Sequence, residues 1–188
     1  MTAETLVAPG LTTGTWTIDV AHSEVAFTVR HMMIATVRGS FESVTGRIEI
    51  AEDLAASSIE VEIDTASVHS RNPKRDEHLR SDQFLDVAAF PKATFRSTAV
   101  NLDRGLDAAV LAGELTIHGV TKQLDFALRF NGVATDPWGN TKAGFSAEAT
   151  IDRHDFGLTS DMPLASGGLF VAREVTITIE LEAYPETT

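Results

Sequence analysis

Apolar and polar residues alternate one by one through most of this chain, and that period limits what it can fold into. Successive side chains of a β-strand point to opposite faces, so a period of two means strands with one apolar face. The pattern is clearest in Ile59-Glu-Val-Glu-Ile-Asp64, where Ile59, Val61 and Ile63 oppose Glu60, Glu62 and Asp64. It also groups Trp16, Ile18 and Val20, then Val25, Phe27, Val29 and His31, then Ile48 and Ile50. It resumes with Ala93, Phe95 and Ser97, with Leu111, Gly113, Leu115 and Ile117, and with Leu124, Phe126, Leu128 and Phe130. Ala143, Phe145, Ala147, Ala149 and Ile151 follow, and Val175, Ile177, Ile179 and Leu181 end the series. His118-Gly119 and Asp136-Pro-Trp-Gly-Asn140 are turn signals between strands.

The pattern predicts about eight or nine antiparallel strands joined by tight turns. An open sheet of that size would expose two strand edges, so closure is favoured. The expected fold is all-β, an eight-stranded antiparallel barrel; a two-sheet sandwich would satisfy the same pattern. The 188 residues suit one domain, taken as residues 15–183 between tails at 1–14 and 184–188. A barrel of eight strands is either filled by its own side chains or holds one small ligand. Ala93, Ser97, Gly113, Ala143, Ala147 and Ala149 are small for inward positions, which points to a cavity.

Residues 71–90 break the alternation. Asn72-Pro73 is a helix-start pair, and residues 74–80 contain no β-branched side chain. Phe84, Leu85, Val87 and Phe90 then add apolar surface before Pro91. A short helical insert around residues 72–82 is expected, closing one end of the barrel. Leu79, Phe84 and Phe90 would face inward, and Lys74 and Arg75 outward. Arg71, Lys74, Arg75 and Arg80 against Asp76 and Glu77 leave a local charge of +2.

Composition excludes several functions. Fifteen basic against 27 acidic residues give a net charge of −12, which opposes a nucleic-acid-binding surface. With no cysteine, thiol catalysis and disulfides are ruled out. Residues 1–14 show neither the basic region nor the apolar core of a secretory signal, so a cytoplasmic location is expected. The six histidines are scattered and form no HExxH-type pair, so no metal site is expected. Ser23, Ser81 and Ser166 lack the G-x-S-x-G setting of a hydrolase nucleophile, and no enzymatic activity is expected. Asp152-Arg-His-Asp155 is the densest charged cluster of the second half. It reads as a turn in which Arg153 ties down carbonyls and a carboxylate, with head-group binding as the other reading.

Several segments, in order, resemble the YceI-like family of polyisoprenoid-binding proteins. They are Trp16-Thr-Ile-Asp-Val-Ala-His22-Ser23, Phe27-Thr-Val-Arg-His31-Met32, Gly39-Ser-Phe41 and Gly46-Arg-Ile48. The series continues with Arg75-Asp-Glu-His78-Leu79-Arg-Ser81, Phe84-Leu-Asp86, Phe90-Pro91 and Phe95. Gly113-Glu-Leu-Thr-Ile-His118-Gly119-Val-Thr121-Lys122, Gly144-Phe145, Ile151-Asp-Arg153-His-Asp-Phe156-Gly157-Leu158 and Glu174-Val-Thr-Ile-Thr-Ile-Glu180 complete it. The resemblance implies an extended lipocalin-like barrel with a long isoprenoid chain in an apolar tunnel. Many relatives carry a secretory signal, a feature residues 1–14 do not show.

The expected tunnel lining is Phe27, Val29, Phe41, Phe95, Leu115, Ile117, Phe126 and Phe145. His31, Met32, Met33, Leu79, Phe84 and Phe170 join it near strand ends or in the insert. Lys74, Arg75, His78 and Arg153 are the candidates for a mouth or head-group contact; the other, favoured reading of the insert is that Arg75, Asp76 and His78 bond nearby loops and seal the barrel end. The expected partners are an isoprenoid lipid, polyprenyl or quinone in type, and a membrane touched transiently during transport or storage. No other cofactor is implied, and a homodimer is compatible with the sequence. An enzyme acting on a lipid-like substrate and a stress protein with a filled barrel are the alternatives. Moving about 40 isoprenoid carbons out of water would release roughly 30 kcal/mol, beyond the practical affinity ceiling of about 20 kcal/mol. The relevant donor is therefore a bilayer, where such a chain is already buried.

Overall fold

The computed structural model describes residues 8–102 and 105–186. Its strands are β1 (Gly14–Ile18), β2 (Glu24–His31), β3 (Ala35–Phe41), β4 (Val44–Ile50), β5 (Ser58–Asp64) and β6 (Val68–His69). After the helix α1 (Pro73–Arg80) come β7 (Lys92–Asn101), β8 (Ala109–Ile117), β9 (Val120–Thr135), β10 (Thr141–Asp152) and β11 (Val171–Pro185). The order β1-β4-β5-β7-β8-β9-β10-β11, with β11 returning to β1, closes an antiparallel barrel of eight strands. This is the closure that the alternation favours over an open sheet.

Strand β11 has two neighbours on one side. Ala183, Tyr184 and Pro185 pair with β1, whereas Val171 to Glu180 pair with β2. Because β1 is short, β2, β3 and β6 continue the wall beyond it and lengthen the barrel. The register puts Gly14, Ile50, Ser58 and Pro185 at one end, and His31, Asp64, Lys92 and Val171 at the other. Helix α1 lies at this second end. Strands β3 and β6 carry no clean alternation: the first reads Ala-Thr-Val-Arg-Gly-Ser-Phe, and the second has two residues.

Trp16 anchors the first end at 1% exposure, packed with Ile48, Ile50, Ala143 and Ala183. Its indole N–H donates to the Thr12 carbonyl at 2.9 Å. Of the tail expected over residues 1–14, residues 1–7 lie outside the described residues. Ala8 is buried and Leu11 packs against the Trp16 cluster, so this part belongs to the domain. At the other terminus Tyr184 and Pro185 complete β11, and Glu186 N–H bonds the Thr15 carbonyl at 2.9 Å; residues 187–188 are outside the described residues.

Helix α1 starts where its signals place it. The Asn72 side chain accepts the Arg75 N–H at 3.2 Å, and Pro73 opens the first turn. The apolar residues sit beyond the helix, in turns bonded Phe84 N–H to Ser81 O and Phe90 N–H to Asp86 O. Phe90 does not face the interior as expected. It stacks on His118 at 4.4 Å, over Gly119, because the β8–β9 turn offers it an apolar seat there.

Candidate functional site

Inside the barrel lies a cavity of about 260 Å³. Nearly all its walls are apolar, and Arg153 is the only charged side chain among the lining residues described. Ile59, Val61, Ile63, Phe95, Ile177 and Ile179 point inward yet are only half-buried. In a packed core such side chains have neighbours on all sides. Here they face unfilled space, and space walled this way stays dry.

Ten of the residues expected in the lining do line it. Phe27, Val29 and Phe41 come from β2 and β3; Phe95, Leu115, Ile117, Phe126 and Phe145 come from the closed barrel. Leu79 and Phe84 come from the insert, which thereby forms part of the wall. Four do not. Met32 and Met33 form the turn after β2, beyond the point where alternation points a side chain inward, and are 41% and 47% exposed. His31 and Phe170 pack edge to face, with ring centroids 4.4 Å apart, at the far end of that hairpin.

Of the four expected mouth or head-group residues, three are bonded to neighbouring groups of the chain. Lys74 is exposed on α1. Arg75 donates from Nε to Ser70 Oγ and from Nη2 to Ser70 O, each at 2.7 Å. Ser70 donates in turn to buried Asp76, through N–H at 2.8 Å and Oγ–H at 2.5 Å. His78 lies 3.1 Å from Gln83 Oε1 and packs edge to face on Phe84. These bonds fasten the insert to β6 and close the barrel end.

Arg153 follows the tethering reading. At 3% exposure it donates to Ala172 O at 3.1 Å, to Leu158 O, to Val171 O at 3.2 Å and to Asp161 Oδ1 at 2.5 Å. Desolvation works against the Asp161 carboxylate, but hydrogen bonds from His154 and Arg153 outweigh it and keep its pKa below the ordinary value. The guanidinium touches the cavity but is held by the 157–172 segment.

The small inward residues divide. Ala93 and Ala147 face the cavity. A Cβ on Gly113 would lie 2.5 Å from the Phe95 ring, so that glycine makes room for an aromatic rather than for a ligand. Ala143 is sealed under Trp16.

Leu11, Leu54, Leu102 and Leu106 were invisible as lining. They are half-buried, come from three loops at the β1 end, and belong to no periodic pattern. Also unexpected is a cluster on the outer wall. Asp19, His22 and Glu182 bring possible metal-ligand atoms within 4.8 Å of one another. The Lys142 ammonium bonds Asp19 and lies 3.3 Å from Glu182, supplying the positive charge itself. Its hydrogen bond, followed by that of His22, lowers the Asp19 pKa to about 2.

The fold and site define a class: a closed antiparallel β-barrel around an apolar cavity. Within it, residues 16–183 match the YceI-like domain, and the chain belongs to that family. The Salmonella newport protein YceI is 38% identical over 162 residues, covering 86% of this chain and 81% of its own. The Campylobacter jejuni YceI protein superposes with a TM-score of 0.71 at 30% identity, over 84% of this chain and 90% of its own. A polyisoprenoid-binding domain from Saccharophagus degradans, implicated in plant cell wall breakdown, shares the fold with a TM-score of 0.62. It is 18% identical, over 91% of this chain and 98% of its own.

Proposed function

We propose that this protein encloses the hydrocarbon chain of an isoprenoid lipid, of polyprenyl or isoprenoid-quinone type, and carries or stores it. The observation that carries the reading is the inward face: large aliphatic and aromatic side chains that meet space instead of one another. Family membership and the ligand class in the description of the Saccharophagus degradans domain support the same chemistry. A cavity of about 260 Å³ with apolar walls has room for part of an isoprenoid chain. The rest of the chain would extend past the leucines at the β1 end.

Transfer from a bilayer changes apolar burial little, so shape fit decides what is bound. Catalysis has less support than binding. The one ionisable lining group described, Arg153, already donates to three carbonyls and a carboxylate. Native mass spectrometry of the purified protein, followed by organic extraction, tests the reading. A stoichiometric isoprenoid is the expected result. Empty barrels that also take up no polyprenol or quinone from detergent would refute it.

A further inference from the structure

The β2–β3 hairpin turns on residues that such turns ordinarily avoid. Ile34 N–H donates to the His31 carbonyl at 3.1 Å, and the two residues between, Met32 and Met33, have φ of 49° and 61°. Two left-handed central residues are the mark of a type I′ turn, for which Asn-Gly is the favoured pair. A methionine in this region is strained. The strained turn displays an apolar tip: Met32, Met33 and Ile34 are 41%, 47% and 78% exposed.

A second loop is strapped beside it. Met32 N–H donates to Phe170 O, and Phe170 N–H to Met162 O, both at 2.8 Å. Met162 is 62% exposed, so the two loops form one apolar patch. Monomeric proteins seldom leave such a patch bare without a use for it.

Charge indicates what covers it. From Val25 to Phe41 the chain has Arg30 and Arg38 and no carboxylate, and the one acid of the second loop, Asp161 beside Met162, is paired with Arg153 and His154, although the whole protein carries −12. Arg30 sits at the base of the turn, its Nη2 donating to Met33 O at 2.9 Å. The leucines at the opposite end of the cavity adjoin exposed Glu52, Asp53 and Asp107. An apolar tip with a basic base suits an anionic bilayer, and the acidic end does not. Helix α1 is a weaker candidate, because Arg75 is bonded to Ser70 and Arg80 to the carbonyls of Ala66 and Val68.

We infer that the Met32–Met33–Ile34 turn, together with Met162, dips into the surface of anionic lipid bilayers. Val29 and Val171, at the end of the cavity wall, lie directly beneath this tip, and the His31–Phe170 pair lies between. The inference rests on the isoprenoid reading for its purpose, but its test does not. The probe is flotation of the full-length protein with phosphatidylcholine–phosphatidylglycerol vesicles, alongside vesicles of phosphatidylcholine alone.

The main variant combines Met32→Asn, Met33→Gly and Ile34→Thr. It gives the turn its preferred residues and so keeps the fold, but removes the apolar tip. A second variant combines Arg71→Glu, just before α1, with Lys74→Glu in its first turn. The wild type should float with anionic vesicles, the turn variant about ten-fold less, and the α1 variant like the wild type. Equal flotation of the turn variant, or flotation lost only in the α1 variant, would overturn the inference. So would a wild-type dimer that the turn variant converts to monomer, since a second copy would then cover the patch. Quinone uptake from detergent is measured separately. Its loss in every protein, with flotation intact, would remove the isoprenoid reading and leave the membrane contact standing.

Discussion

Replacing Ala147 by Phe tests whether the barrel interior is a binding cavity or a core. Ala147 pairs with Leu128 and Ile179 on the neighbouring strands and faces the cavity near mid-length. The substitution adds six carbons to a cavity of about 260 Å³ and divides what remains. Burying the ring contributes about 1.5–3 kcal/mol, and adjustment of the walls costs about 1–3 kcal/mol. Folding stability should therefore stay within about 2 kcal/mol of the wild type. An isoprenol that filled the cavity would leave about six carbons in water, which costs about 5 kcal/mol. Even with half of that recovered by rearrangement, affinity falls roughly 100-fold. Displacement of a fluorescent polyene measures the affinity, and urea unfolding measures the stability. Binding within about three-fold of wild type would place the ligand elsewhere. A stability loss above about 3 kcal/mol would mean that the interior is already full.

Arg153→Lys should cost about 2–4 kcal/mol in urea unfolding, because one ammonium cannot replace bonds to three carbonyls and Asp161; a cost below about 1 kcal/mol would show that the 157–172 segment needs no such tether. Trp16→Ala should cost about 3–5 kcal/mol in the same assay, since the side chain is 1% exposed and fills the β1 end, and a cost under about 1 kcal/mol would mean that the end collapses without it. The Asp19 carboxyl, lowered from 3.8 to about 2, adds stability that is complete above pH 4 and disappears as the pH falls toward 2. The unfolded chain takes up that proton first, so stability falls with pH in this window by about 1 kcal/mol after solvent screening. Lys142→Met should flatten that acid limb in urea titrations, and an unchanged limb would show that the ion cluster is not the cause.

The closed strands were legible because each buries one face. Ile59, Val61 and Ile63 have the same period in the sequence as in the barrel wall. Strand β3 was not, since its outer edge is largely unpaired and three of its seven residues are exposed. The cavity was read correctly in kind but partly for the wrong reason. Small residues suggested it, yet Gly113 is occupied by Phe95, and the space persists because opposing large side chains stop short of meeting. The α1 start was legible from Asn72-Pro73, a local signal. The partners of Arg75 and Arg153 were not, because Ser70, Asp161 and the carbonyls they bind are selected by tertiary folding. The four leucines at the β1 end escaped for the same reason: a loop has no period to betray which way its side chains face.

The shared edge of β11 gives the barrel a seam of unequal strength. Ten residue pairs join β11 to β10, but its ladder to β1 has three, at Trp16, Thr17 and Ile18, flanked by the bonds from Asp19 N–H to Glu182 O and from Glu186 N–H to Thr15 O. The cylinder is thus fastened along one line by a clasp three residues long, whose middle member, Thr17, points away from the interior. Exchange of the amide hydrogens along this clasp should precede that of the β10–β11 amides. An opening there would widen the bore without unfolding the staves.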